Sequence, residues 1–165
     1  MKKPLCVIIC FAIIFAFCSC GKIAPKIANG VDPDADELNL NSNFEFGLLD
    51  NAKEIDFSGF ESEAEGYGRS VNGSRTSYLI ETVNGTDYIT KIWTQNKKVN
   101  IFGVSMGESN EKIKSAFEGH GYKCTYKNGG LFMEKGNVIV EIFDDCVVVD
   151  GNITRNIHIG YNINK

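Results

Sequence analysis

Histidine and positive charge are scarce in this 165-residue chain, and each scarcity excludes a chemistry. The two histidines, His120 and His158, show no clustered ligand spacing, so a zinc site has little to stand on. Seventeen Lys and Arg against 21 Asp and Glu leave a formal net charge of −4, and an acidic body repels phosphate backbones, so no nucleic acid partner is expected. No glycine-rich stretch carries the lysine or the strand-helix context of a phosphate or dinucleotide loop, and no cofactor is expected. Also lacking is an apolar run of the roughly 20 residues that a membrane-spanning helix needs.

The longest apolar run, Leu5 to Phe17, follows Lys2 and Lys3 and closes on small residues at Ser19, Cys20 and Gly21. That is the charge, length and boundary pattern of a secretory leader. Its end, Phe17-Cys18-Ser19-Cys20, resembles the lipobox of bacterial lipoproteins, in which the cysteine thiol takes a diacylglyceryl group and becomes the new N-terminus after cleavage. Ser19 satisfies the small position before the thiol, while Phe17 and Cys18 depart from the commonest aliphatic and small choices. Cys18 is the poorer acceptor because bulky Phe17 precedes it. A plain secreted protein cleaved near Ser19, or an uncleaved hydrophobic anchor, is the alternative. The resemblance implies a signal peptide over 1–19, lipid on Cys20 and residence at the extracytoplasmic face of a membrane. Acyl chains contribute about 0.8 kcal/mol per buried methylene, so two hold a protein far more firmly than one. Losing the leader removes Lys2 and Lys3 and leaves 15 basic against 21 acidic residues.

Residues 20–43 lack periodicity, carry Pro25, Pro33 and several acids and asparagines, and read as a lipidated N-terminus with a flexible tether. Asp32-x-Asp34-x-Asp36 invites comparison with a calcium loop, but Glu37 stands where an EF-hand has its glycine and Asn43 where it has its bidentate glutamate. No metal is expected there.

Residues 44–165 have the length of one domain. Tyr78 to Ile80 and Tyr88 to Trp93 are β-rich runs joined through Asn84-Gly85, a pair suited to a tight hairpin; Asn72-Gly73 and Asn128-Gly129 are similar punctuation. Asn100 to Tyr122 reads as a short strand, a glycine turn and a helix capped by Ser109, with Ile113, Ala116 and Phe117 on one apolar face and Gly119 or Gly121 at its end. Tyr122 to Tyr126, Leu131 to Glu134, Val138 to Phe143, Cys146 to Val149 and Ile153 to Ile159 follow as strands. Short turns between them imply antiparallel pairing, hence an α+β fold: an antiparallel sheet with one or two helices packed on one face. Phe44 to Tyr67 is the least legible part, and a half-repeat over Phe44 to Thr94 is a suspicion only.

The order strand, Gly-x-Ser-Met-Gly, Ser-Asn-Glu-Lys-Ile helix, then Val138 to Asp144 and a closing Asn156-Ile-His-Ile strand resembles the BamE-type lipoprotein of the outer-membrane barrel-assembly machinery and the β-lactamase inhibitor proteins. The resemblance implies a sheet and loops presented to another protein, and carries no particular partner with it.

Gly103-Val104-Ser105-Met106-Gly107 matches the nucleophile elbow G-x-S-x-G, and Ser105, Asp150 and His158 fall in the hydrolase order. That elbow belongs to parallel sheets of βαβ units, however, and this chain is short and rich in hairpins. Of six cysteines, Cys6, Cys10, Cys18 and Cys20 belong to the leader and its end, which leaves Cys124 and Cys146 in an exported domain where oxidation is allowed. A bridge between them would close a loop of 23 residues inclusive and contribute about 3 kcal/mol; two buried thiols are the equal alternative. Trp93, Tyr122 and Tyr126 are candidates for a recognition patch, against the plainer reading of core aromatics. The sequence therefore points to a lipid-anchored, extracytoplasmic, non-enzymatic protein whose partners are the membrane, through its lipid, and an unidentified envelope protein. The alternatives are a lipoprotein inhibitor or immunity factor, and a small serine hydrolase using Ser105.

Overall fold

The computed structural model describes residues 30–62, 68–71, 75–149 and 152–164, with 61–62, 68–71, 145–149 and 152–154 described by their backbone alone. The expected leader, Cys20, the Asn72-Gly73 turn and Asp150 lie outside the described residues.

Helix α1 (Pro33–Leu40) is an element that sequence periodicity misses. Asp32 caps it, its Oδ1 accepting from the amides of Asp34 at 2.9 Å and Ala35 at 3.2 Å, and Pro33 occupies the first turn, where its missing N–H costs nothing. Ala35 and Leu38, three residues apart, are fully buried, whereas Leu40 is 85% exposed. Asn39 clasps the next segment, donating to the Leu48 carbonyl at 2.8 Å and accepting from its amide at 2.9 Å. The tether expected over 20–43 is thus corrected from Pro33 onward: these residues belong to the domain. The acids that imitate a calcium loop serve instead as a helix cap and, as shown below, as partners of Lys135.

Four strands, β1 (Phe60–Ser62), β2 (Gly68–Val71), β3 (Thr76–Val83) and β4 (Thr86–Thr94), form a meander. A small hairpin of β5 (Asn100–Ile101) and β6 (Val104–Ser105) leads into α2 (Asn110–Gly119). A second meander follows, of β7 (Lys123–Lys127), β8 (Gly130–Lys135), β9 (Val138–Val149) and β10 (Asn152–Tyr161). The two meanders join where β10 pairs β4, giving one eight-stranded antiparallel sheet in the order β1-β2-β3-β4-β10-β9-β8-β7. The fold is the α+β arrangement expected. Each meander is preceded by a helix, so the suspected half-repeat exists as an order of elements, beginning at α1 rather than Phe44. Asn84 and Gly85, with φ of 53° and 83°, make the tight hairpin turn, and Asn128 and Gly129 repeat it at 51° and 78°.

Helix α2 begins and ends as its sequence dictates: the Ser109 hydroxyl accepts from the Lys112 amide at 3.4 Å, and Gly121 turns away at φ 81°. Ile113 and Phe117 are buried. Phe102 sits at the left-handed corner of the β5-β6 hairpin, φ 53°, and its ring meets Phe117 at 5.1 Å and Tyr122 at 5.6 Å. One continuous core joins Ala35 and Leu38 of α1, Ile113 and Phe117 of α2, and Ile101 and Met106 to Tyr78, Ile92, Val140, Ile142, Ile157 and Ile159 of the sheet. Both helices and the small hairpin therefore cover the same face of the sheet.

Two expectations change here. The runs Val138 to Phe143 and Cys146 to Val149 are a single strand, β9, whose pairing with β10 shifts register between Ile153 and Arg155, and Arg155 pairs with Asp144 across the strands. Arg155 Nε lies 2.6 Å from Asp144 Oδ1 and Nη2 3.2 Å from Oδ2, and this guanidinium holds the carboxyl below its ordinary range. Its Nη1 donates to the carbonyls of Met106 at 2.8 Å and Glu108 at 2.7 Å, which fixes the approach to α2. The second concerns cysteine. Cys124 carries a free thiol whose pKa is raised by burial, and the side chain of Cys146 lies outside the described residues. Cys124 opposes Met133, which opposes Val140, so Cys146 stands six residues further along β9, in the register shift opposite Ile153 to Arg155. That register does not support the bridge.

Candidate functional site: the uncovered face of the sheet

Alternation along each strand sends every second side chain to the face that the helices leave uncovered. Register aligns them into rows. Ser77, Trp93, His158, Glu141, Phe132 and Thr125 lie side by side across six strands, and Leu79, Lys91, Gly160, Ile139, Glu134 and Lys123 form the row beside it.

The first row and its neighbour Phe143 make an aromatic strip. Trp93 and His158 have ring centroids 6.4 Å apart, His158 and Phe143 5.8 Å, and Phe143 and Phe132 5.4 Å at 89°, an edge-to-face contact. Lys127 Nζ sits 4.0 Å over the Phe132 ring. Phe143 has its place because Gly130 lies beneath it: a Cβ at Gly130 would come within 2.8 Å of its ring. Glu141 Oε2 is 3.9 Å from His158 Nδ1, so a protonated imidazole would be paired there. Trp93 remains 36% exposed, a large amphipathic side chain at the surface. Beside it the sheet forms a groove of about 860 Å³, lined among others by Leu79, Lys91, Ile139 and Gly160.

Of the three aromatics singled out from sequence, Trp93 lies on this strip, Tyr126 is exposed on edge strand β7, and Tyr122 is corrected to the core. Burial raises the Tyr122 phenol well above its ordinary value. Ser105 and His158 are not brought together. The Ser105 hydroxyl donates to the Lys97 carbonyl at 2.7 Å and accepts from the Gly107 amide at 3.3 Å, in the hairpin on the helix side of the sheet. His158 faces the other way. Among the described residues, no group of three or more His, Cys, Asp or Glu is arranged to hold a metal ion, and no helix is long and apolar enough to cross a membrane.

A second polar cluster closes the opposite side and pins α1 to the sheet. Glu37 contacts Lys135 Nζ through Oε2 and His120 Nδ1 through Oε1 at 3.0 Å, and Asp34 Oδ1 lies 3.4 Å from Lys135 Nζ. Tyr161 donates to Asp32 at 2.9 Å and accepts from Asn137 at 3.0 Å. The His120 ring is stacked on Phe102 at 3.9 Å. Lys135, and then His120, hold the Glu37 carboxyl below its ordinary 4.5, and Glu37 in turn raises Lys135. A carboxylate with a depressed folded value stabilises the fold above pH 4.5, and that contribution is lost as pH falls through the folded value. Glu37→Gln should therefore flatten the fall in urea midpoint between neutral pH and acid. The difference should be about 1 kcal/mol at most, since the groups are partly solvated. An unchanged acid slope in the variant would remove Glu37 from the account.

Glu37, Lys135, Arg155 and Gly160 escaped sequence reading because nothing near them in the chain marks their roles. No protein-family model, no curated protein and no solved structure matches this chain, so the resemblance to BamE-type lipoproteins and β-lactamase inhibitor proteins rests on its residues alone.

Proposed function

We propose that the chain is a non-enzymatic binding module, held at the extracytoplasmic face of a membrane by lipid on Cys20, which docks another envelope protein on the uncovered face of its sheet. The observation that carries this reading is the strip Trp93, His158, Phe143 and Phe132, set on the face opposite the one that α1 and α2 cover. Aromatic side chains at a surface supply large, stiff contact area, and they are the residues enriched at the centres of protein interfaces. An inhibitor or immunity factor would use the same strip, and the identity of the partner separates it from a structural role.

The test places a photo-crosslinking amino acid at Phe143 in cells, with Leu40 as the control on the helix side. A discrete adduct with one envelope protein from position 143 and none from 40 is the expected result. Identical patterns from both positions, or no adduct from either, would reject the docking face.

A further inference from the structure

Gly160 is a glycine that the fold does not need. Its φ lies outside the left-handed region, and a Cβ added there would meet nothing closer than Lys91 Cγ at 3.8 Å, an ordinary contact. It stands one residue before the end of β10, flanked across the ladder by Lys91 and Ile139, where a side chain would add packing that glycine does not. What the missing side chain does leave is a hollow, and Gly160 forms part of the lining of the 860 Å³ groove. That volume is on the scale of small-ligand clefts.

The lining describes the ligand. At one end is the exposed Trp93 ring, an apolar plate with a negative π face. Leu79 and Ile139 are apolar flanks, and Glu141, His158 and Lys91 bring acceptors and donors of both signs. No cationic excess favours a phosphate. Strands β4, β10 and β9 are each paired on both sides, so their main chain is occupied, and an extended peptide finds no backbone partners in the groove. A ligand there is read by side chains; Glu81 and Glu141 stand beside Lys91 in the same lining, and these mixed charges suit a molecule with one apolar face and a hydroxyl-rich rim. A sugar ring has that chemistry: its axial C–H groups stack on an aromatic plate while its hydroxyls reach carboxylate, imidazole and ammonium groups.

We propose that the Gly160 groove binds a neutral oligosaccharide, with one ring stacked on Trp93 and the next lying over Gly160. This goes beyond protein docking on the aromatic strip and does not depend on it, although Trp93 and His158 take part in both.

Trp93 is the chain's single tryptophan, so its fluorescence reports on ligands that reach its ring, and Gly160→Val assigns the response to the groove. Full-length protein in lauryldimethylamine oxide, a detergent without a sugar head, would be titrated with cellotetraose and with the tetramer of N-acetylglucosamine. Inorganic phosphate and an unrelated extended peptide serve as comparison ligands. The expected result is a saturable change with at least one tetrasaccharide and none with phosphate or peptide. Gly160→Val should weaken it at least about tenfold with the urea midpoint preserved. Should that variant fail to fold, Glu141→Gln carries the test and should weaken binding in the same way. No response to either sugar, binding unaltered in the folded variant, or a response to peptide alone would each overturn the proposal. Crosslinking from Phe143 is a separate measurement, so protein docking can fail while sugar binding stands, and the reverse.

Discussion

Leu38→Ala is expected to destabilise the domain by about 2–5 kcal/mol, measured as a drop in urea midpoint at unchanged slope. Leu38 has no solvent exposure and packs in the same core as Ile113, Phe117 and the sheet, so truncation leaves a cavity that neighbouring elements close only in part. The paired control is Leu40→Ala, two residues on and 85% exposed, which should change stability by no more than about 0.5 kcal/mol. A tether would respond equally little to both substitutions. Equal small effects would thus return α1 to the tether and move the start of the domain to Phe44, whereas a large difference places α1 inside the domain.

Cys20→Ser should release the protein from membranes. Two acyl chains carry dozens of methylenes at about 0.8 kcal/mol each, and nothing else in the chain is proposed to replace them. The acidic balance, 15 basic against 21 acidic residues after the leader, gives no attraction to anionic head groups. The parent should fractionate with membranes and take up labelled palmitate; the variant should lose the label, and any mature form of it should be soluble. Cys18→Ser should behave as the parent, because the thiol that follows small Ser19 is the proposed acceptor. Label retained by Cys20→Ser would sink the lipoprotein reading.

Anchor loss and core loss are separable in these two experiments. Leu38→Ala should retain its lipid while losing stability, and Cys20→Ser should keep its stability while losing its membrane. The Arg155 latch belongs with the first group, since it binds two carbonyls that precede α2 and the Asp144 carboxylate on β9.

Helix α2, its Ser109 cap, the Asn84-Gly85 and Asn128-Gly129 turns and the alternating strands of the second meander were legible in the amino-acid order, because each is decided within a few neighbouring residues: a hydroxyl reaching an amide three positions on, a positive φ that glycine tolerates, a side chain that points up or down in turn. Antiparallel pairing followed from the short turns. Only the tertiary structure decided that Pro33–Leu40 is a helix inside the core, since two buried contacts in eight residues give too weak a period to read. It alone set β4 against β10, left Trp93 on the side away from the helices, and gave Gly160 a hollow to line. Those outcomes depend on which distant segment covers which face. A local pattern can mark an apolar face, as it does for Ile113 and Phe117, but which distant segment covers that face is a relation between residues far apart in the chain.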